Sequence, residues 1–365
     1  MNDSADPALA RIIDQLRMAS AHKTALRIEG GNTKAFYGEA PRGEALPLRE
    51  LAGISSYEPS ELVVTVRAGT PLATLEAALA EQGQCLPFEP PRFGAGGTVG
   101  GMVAAGLAGP SRAAVGGVRD YVLGATLLKA SGELLSFGGQ VMKNVAGYDV
   151  SRLLAGSMGV LGVICEVSLK VLPVPVARKT LRFELPQPQA LQKLNEWGGQ
   201  PLPILASAWW EGMLVLRLAG AAAAVRSAQQ QLGGEEIDAV MADPFWLGLR
   251  DHSDEFFVGA AKAVERGATL WRLSLPGTAA PLKLSGEQLI EWGGAQRWLC
   301  TSAAAATVRE AAAAAGGHAT IFRAQDKSAG VFAPLSAPLQ RIHRELKQAF
   351  DPERLLNPGR LYPEL

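Results

Sequence analysis

Seventeen of the chain's 41 glycines fall between Gly94 and Gly162. Glycine at that density serves backbone with positive φ, or lets a ligand approach the main chain closely. Two turns stand out. Gly30-Gly31-Asn32-Thr33-Lys34 follows a short apolar run, and its successive N–H groups can converge on one concavity. Gly97-Thr98-Val99-Gly100-Gly101 opens a stretch of small residues that reads as a helix start. The N–H groups and dipole there would suit an anion, and Thr98 adds a hydroxyl. Alone, each is equally a tight turn; together they suit a pyrophosphate gripped from two sides. Neither is a common nucleotide motif. Gly94-Ala95-Gly96-Gly97-Thr98-Val99 misses the last glycine of G-x-G-x-x-G and follows a proline pair, and G-x-x-x-x-G-K-[ST] is absent.

The charged side chains give weaker signals. A carboxylate ligand favours arginine, whose fork matches two oxygens. Arg272 in LWRLSLP and Arg323 in ATIFRAQ each fall on an expected strand, where an edge-strand arginine is the competing reading. Among the four histidines, His318 in Gly316-Gly317-His318-Ala319 is the candidate for a turn facing a cleft. His22 and His252 are expected to be solvated, and His343 partly packed beside a helix stripe. Cys85, Cys165 and Cys300 lie far apart, which excludes a cysteine-ligated iron–sulfur cluster or zinc ribbon within the chain; no metal site is expected. The tryptophans Trp209, Trp210, Trp246, Trp271, Trp292 and Trp298 read as core, or as a partner interface.

These residues need elements to hold them. Asp6-Pro7 caps and opens a helix carrying Leu9, Ile12, Ile13 and Leu16 at helical spacing. Ala25–Ile28 and Glu61–Arg67 read as strands. Thr70 is the expected N-cap of a helix with Leu72, Leu75 and Leu79 inward and Gly83 past its end. Val122–Lys129 and Glu133–Phe137 flank a Ser131-Gly132 hairpin turn. Val160–Leu172 reads as one long strand, with Val163, Cys165, Val167, Leu169 and Val171 on the same side. Pro173–Pro175 marks the expected boundary between units 1–173 and 174–365. Strands and alanine-rich helices follow, then a last helix over Pro338–Phe350 with Leu339, Ile342, Leu346 and Phe350 inward.

The bulk composition narrows the class. With 365 residues, 48% hydrophobic, the chain can bury a large core in two units. Lys+Arg 35 balance Asp+Glu 35, which argues against a nucleic-acid binder. The amphipathic, acid-bearing start is not a signal peptide, and no run of about 18 apolar residues predicts a membrane span. A cytoplasmic protein is expected.

Taken in order, GGNTK, VTVRAGTPLATLEAAL, GTVGGMVAAGLAG, GGVRDYVLGATLLKASGELLSFGG, KNVAGYDVSRLLAGSMGVLGVI and DPERLLNPGRLY resemble the FAD-linked oxidases of the vanillyl-alcohol-oxidase (PCMH) type. The resemblance covers about residues 20–175 and the C-terminal tail. The KNVAGYD…GSMGVLGVI block and the tail look most like the second flavin-binding subunit of glycolate oxidase. It implies an α+β fold, with an FAD-binding domain of two subdomains (1–173) and then a cap with an antiparallel sheet (174–365). Its tail would return to the flavin. The cofactor positions it implies are Gly30, Gly31, Asn32 and Thr33 in the first pyrophosphate loop, with Thr98, Gly100 and Gly101 in the second. Gly159, Leu161, Gly162 and Val163 would pass along the adenosine. Lys143, Asn144, Gly147, Tyr148 and Asp149 would lie near the ribityl chain and flavin, with Asn357 closing the site. Asp149 also reads simply as a helix N-cap. Covalent members often place a His after the first glycine pair; Asn32 and Thr33 stand there, so FAD is expected to be non-covalent. The H-x-H-x-G-D-G-N-type signature that the larger flavin subunit and related D-2-hydroxyacid dehydrogenases carry in the second domain is missing.

The resemblance implies a subunit of a glycolate (2-hydroxyacid) oxidising complex, with a larger flavin subunit and an iron–sulfur subunit as partners that would hold it peripherally at the inner membrane. Two alternatives remain: a non-catalytic FAD-binding subunit supporting the larger one, or a stand-alone FAD oxidoreductase on another substrate. Arg272, Arg323 and His318 are the candidate catalytic residues.

Overall fold

The computed structural model describes residues 6–139 and 149–365. The fold is α+β. Asp6 caps helix α1 (Pro7–His22), its carboxylate accepting from the N–H groups of Ala8 and Leu9 at 3.0 and 3.2 Å. Strands β1 (Leu26–Glu29) and β2 (Glu44–Pro47) pair in parallel, with the first glycine turn leaving the end of β1.

Among the described residues, five strands then form an antiparallel sheet: β3 (Ile54–Glu58), β4 (Val63–Arg67), β5 (Val122–Leu128), β6 (Leu134–Gly138) and β7 (Val163–Lys170). Their spatial order is β3-β4-β7-β5-β6. Helices α2 (Leu72–Glu81) and α3 (Val99–Ala105) bury Leu72, Leu75, Leu79, Met102 and Val103 against one face. Ile12, Leu16 and Ala19 of α1 cover the other. Burial of such side chains contributes about 1.5–3 kcal/mol each. The expected Val160–Leu172 strand is shorter and kinked. Glu166 pairs with Thr126 and Ile164 with Leu127, so Cys165 is the extra residue of a bulge. The bulge reverses the facing: Val163 and Cys165 point to the α1 side, Val167 and Leu169 to the α2–α3 side. Thr70 does not cap α2; its hydroxyl donates to carbonyls of Gly53 and Arg67 and ties a loop to the strand.

A second antiparallel sheet has, among the described residues, eight strands. They are β8 (Ala177–Glu184), β9 (Ile204–Trp210), β10 (Met213–Gly220), β11 (Glu235–Ile237), β12 (Thr269–Ser274), β13 (Glu287–Glu291), β14 (Gln296–Thr301) and β15 (His318–Arg323). Their order is β11-β8-β10-β9-β13-β14-β12-β15. The face carrying Trp271, Leu273 and Ile321 packs on Val308 and Ala312 of a helix over Ala305–Ala314. The opposite face carries Trp298 and Phe322. It packs on helices α4 (Ala239–Asp251) and α5 (Glu255–Glu265), and on Tyr37, Ala105 and Met158 from the other side of the molecule. One core therefore joins the two sheets.

The last helix spans Ala337–Phe350, and Leu346 and Phe350 of its apolar stripe pack on the first core, but the rest of the stripe does not. Leu339 and Ile342 are 47% and 46% exposed, while Lys347 is buried. Its ammonium donates to Asp351 and to the carbonyls of Val160 and Leu356, each at 2.8 Å. That knot sends the tail back across β1, where Leu26 and Leu356 form a bridge.

Candidate functional site: a donor-lined cavity beside an arginine–aromatic face

The two glycine turns are not opposite jaws; they are packed on each other. A Cβ on Gly31 would overlap the Gly96 carbonyl, and one on Gly30 would overlap the Thr98 hydroxyl. Glycine lets the turns interlock. Together they wall a cavity of about 330 Å³ that also reaches Met158, Gly159, Gly162 and Asn357.

The donors come from the first turn. Among the described residues, no protein oxygen accepts from the N–H groups of Gly31, Asn32, Thr33 or Lys34. Asn32 adopts φ +57°, which bends the turn. Lys34 adds an ammonium whose pKa burial lowers to about 8, opposed by the negative charge of Asp251. Four free N–H groups and a cation, in a wall that also carries Ile28, Leu48, Ala68 and Met158 beside the Arg27–Glu29 pair and Arg360, suit an anionic middle flanked by apolar groups.

The second turn departs from expectation. Val99 N–H donates to Thr70, Gly100 N–H to Ala68 and Gly101 N–H to the Thr98 hydroxyl, so these three are spent on the fold. A Cβ on Gly100 would lie 2.7 Å from the Ala68 side chain. A Cβ on Gly101 meets only Thr98 Oγ1, at 3.2 Å, and otherwise enters the cavity. Gly101 thus keeps ligand space open, and Gly100 serves packing.

Gly159 and Gly162 line the cavity, whereas the Leu161 and Val163 side chains point into cores on either side of the sheet. Asn357 is present in the wall, but its amide is occupied: Oδ1 accepts from Ile28 N–H at 2.8 Å and Nδ2 donates to Met158 O at 2.6 Å. It straps β1 to the Met158–Gly159 turn. Asp149 caps a short helix, Val150–Leu153, through Arg152 N–H. Lys143, Asn144, Gly147 and Tyr148 lie outside the described residues.

Sequence reasoning missed two groups here. Lys34 stood within the quoted motif. Arg360, in the LNPGR tail, donates to carbonyls of Glu39 and Ala35 and holds the segment after the first turn. Burial lowers its pKa to about 10 against the pull of Glu39.

That segment, Phe36-Tyr37, meets the second sheet. Arg323 lies flat on the Phe36 ring, 3.5 Å from its centre, and Arg272 donates to the Tyr37 hydroxyl at 3.0 Å. The two arginines are thus brought together, each on one of two consecutive aromatics. His318 is not with them. It is exposed at the opposite end of β15 from Arg323, about 17 Å away at the usual strand rise. His252 is not solvated either. Its ring stacks on Phe257 at 3.6 Å and meets Phe93 and Trp298 edge-on. Nothing in the spacing of His252 signalled this; it comes from the α4–α5 corner, where His252 takes φ +57°.

Comparison with known proteins follows this geometry. Residues 9–138 match the family model described as an FAD binding domain. Over 354 residues, 97% of both chains, the sequence is 49% identical to the glycolate oxidase subunit GlcE of Escherichia coli (strain K12). It is 31% identical over 168 residues to the glycolate oxidase subunit GlcD of Bacillus subtilis (strain 168), covering 46% of this chain and 36% of that one. A solved alkyldihydroxyacetonephosphate synthase shares the fold at TM-score 0.62 and 14% identity, over 96% of this chain and 74% of that chain. The free donors of the first turn and the space kept by Gly101 fit the FAD that the family model implies. The chain belongs to the FAD-linked oxidases of the vanillyl-alcohol-oxidase type, in the family that includes the glycolate oxidase subunit GlcE, and is an FAD-dependent oxidoreductase.

Proposed function

We propose that the protein is the FAD-binding subunit of a complex that oxidises glycolate or a related 2-hydroxyacid and passes the electrons to an iron–sulfur partner. The observation that carries this is the adjacency of the donor-lined cavity and the Arg272–Arg323 face, with Phe36 and Tyr37 between them. Residues 1–173 with the tail would form the cofactor unit and residues 174 onward the cap.

FAD, when bound, supplies hydride acceptance. The chain's own residues do the rest. N–H groups of Gly31–Lys34 and the Lys34 ammonium would hold the pyrophosphate. Gly159 and Gly162 would let the adenosine side lie close to the backbone. Arg323 and Arg272 would orient a carboxylate, and the packed aromatics around them exclude water from the reacting centre. No histidine follows Gly31, which supports non-covalent FAD. Cys165 and Cys300 are buried in separate cores and Cys85 stands apart from both, so no cysteine cluster gives electrons an exit within the chain. This supports exit through a larger flavin subunit and an iron–sulfur subunit. Among the described residues no helix is long and apolar enough to cross a membrane, so any hold on the inner membrane would come through those partners.

The test begins with the absorption spectrum of the purified chain, then acid precipitation. A yellow protein that releases FAD into the supernatant is expected. Glycolate-dependent dye reduction is then measured for the chain alone and with its co-expressed partners. Reduction only in the complex, carried by the partner's flavin, would make this a supporting subunit. Rapid turnover of the isolated chain with oxygen would make it a stand-alone oxidase.

A further inference from the structure

A second cavity, of about 490 Å³, opens where the Arg92–Ala95 turn meets the Asp251–Ser253 corner, with Arg323 closing one side. It adjoins the cofactor cavity: Lys34 Nζ lies 5.6 Å above the ring of Phe93, which lines this second space.

Its charges are unequally matched. The Asp251 carboxylate is taken by Arg250, at 3.0 and 2.6 Å, and by the Arg92 N–H at 3.0 Å. The Arg92 guanidinium is paired with Glu76, yet its buried Nε has no acceptor. Among the described residues, Arg323 has no carboxylate partner; it rests on the rings of Phe36 and Phe93. Burial lowers its pKa, with no anion to oppose the shift.

His252 completes the wall. Burial first, then the charges of Arg323 and Arg272, holds its pKa well below the usual histidine range, so the ring is neutral. Its Nδ1 is buried with no hydrogen-bond partner. A buried N–H without an acceptor costs more than an unfilled lone pair. The proton therefore belongs on Nε2, the ring nitrogen that is not buried without a partner, and His252 lines the same cavity as the Arg323 guanidinium.

We propose that this cavity is the binding site for the carboxylate of a small monocarboxylic acid, with Arg323 as its counter-ion and His252 Nε2–H as a second donor. The proposal deepens the functional reading above, since it gives the 2-hydroxyacid's carboxylate a seat next to the cofactor cavity. Arg92 sets the local field without giving up Glu76, and the Asp251 charge in the same wall is offset by the two hydrogen bonds from Arg250. Arg272 lies two residues from the position opposite Arg323 across β12–β15, donates to Tyr37, and adds positive charge felt at His252.

Calorimetric titration of the full FAD-loaded chain with glycolate, and separately with acetate, which cannot be oxidised at a hydroxyl, tests this. Saturable binding is expected. Arg323→Gln, which keeps a long side chain on Phe36, should weaken it at least tenfold. His252→Asn, which tolerates the left-handed backbone, should weaken it several-fold. In the ¹⁵N–¹H spectrum of the wild type, His252 should be the neutral Nε2–H tautomer, and its signal should shift on titration. Acetate binding that depends on Arg323, without glycolate oxidation, would sink the proposed substrate and leave the site standing. Glycolate oxidation with unchanged affinity in Arg323→Gln would overturn the site and leave the function standing. Absence of saturable binding by either acid, or a static His252 signal, would also overturn it.

Discussion

Gly100 and Gly101 are neighbours in sequence with opposite duties. Gly101→Leu places its side chain in the cavity and touches protein through its Cβ only at Thr98 Oγ1, 3.2 Å away, so the expected result is loss of FAD with an apo melting temperature close to wild type. Gly100→Ala forces a methyl group against Ala68 and should lower both apo and holo stability by about 1–3 kcal/mol, as overpacking does. Paired melting curves with and without FAD check both. Thr98→Val removes the N-cap acceptor of Gly101 N–H, at a cost of about 1 kcal/mol that falls on apo and holo protein alike. The glycine turns were legible because close backbone approach leaves a mark in composition. Which glycine faces the ligand was not, because that depends on Ala68, in the turn just after β4. His252, Phe36 and Tyr37 left no mark at all: their surroundings are assembled from segments up to three hundred residues apart.

Element boundaries followed from periodicity more faithfully than element faces did. The last helix begins and ends within a residue of expectation, yet its buried side chain is Lys347. An apolar-spacing rule cannot foresee a lysine that finds three oxygens. The Cys165 bulge misled in the same way, since an alternating strand gives no sign of where its phase will slip. Lys347→Met is the informative change. It strands Asp351 in the interior with two backbone N–H donors and no counter-charge. Breaking a buried pair from one side costs about 3–5 kcal/mol. The expected outcome is a tail released from β1, seen as rapid hydrogen exchange at Ile28 and Asn357, together with loss of FAD.

Across the whole molecule the two sheets are fastened by buried polar contacts. Arg217, on the second sheet, reaches Glu89 at 2.7 Å and Ser111 at 2.6 Å. Trp292 donates to the Gly109 carbonyl at 3.0 Å. Glu89→Ala should leave a buried guanidinium unpaired and cost about 3–5 kcal/mol; chemical denaturation should show it as a lower midpoint with an unchanged flavin spectrum below that midpoint. A second whole-molecule effect is titration. Burial raises the pKa of Glu291 to about 7, against hydrogen bonds from Trp298 and Gln296. The folded state then binds a proton that the unfolded state has released, so this group's contribution to stability falls as pH rises from about 4.5 to 7. Glu291→Gln keeps an oxygen for both donors and should flatten that slope, raising the melting temperature at pH 8 more than at pH 5.

The strap through Asn357 has a consequence for the order in which the molecule is made. Ile28 and Asn357, which bond to each other in the cavity wall, are 329 residues apart in the chain. On a ribosome, the first glycine turn emerges early and its partner turn soon after, but the wall behind Met158 stays open until the tail leaves the exit tunnel. A chain truncated before Asn357 is expected to lose flavin absorbance, which a spectrum of the purified fragment would check. Closure of this wall therefore waits on a residue more than three hundred positions beyond the turn it closes against, and the early segment cannot complete its own cavity.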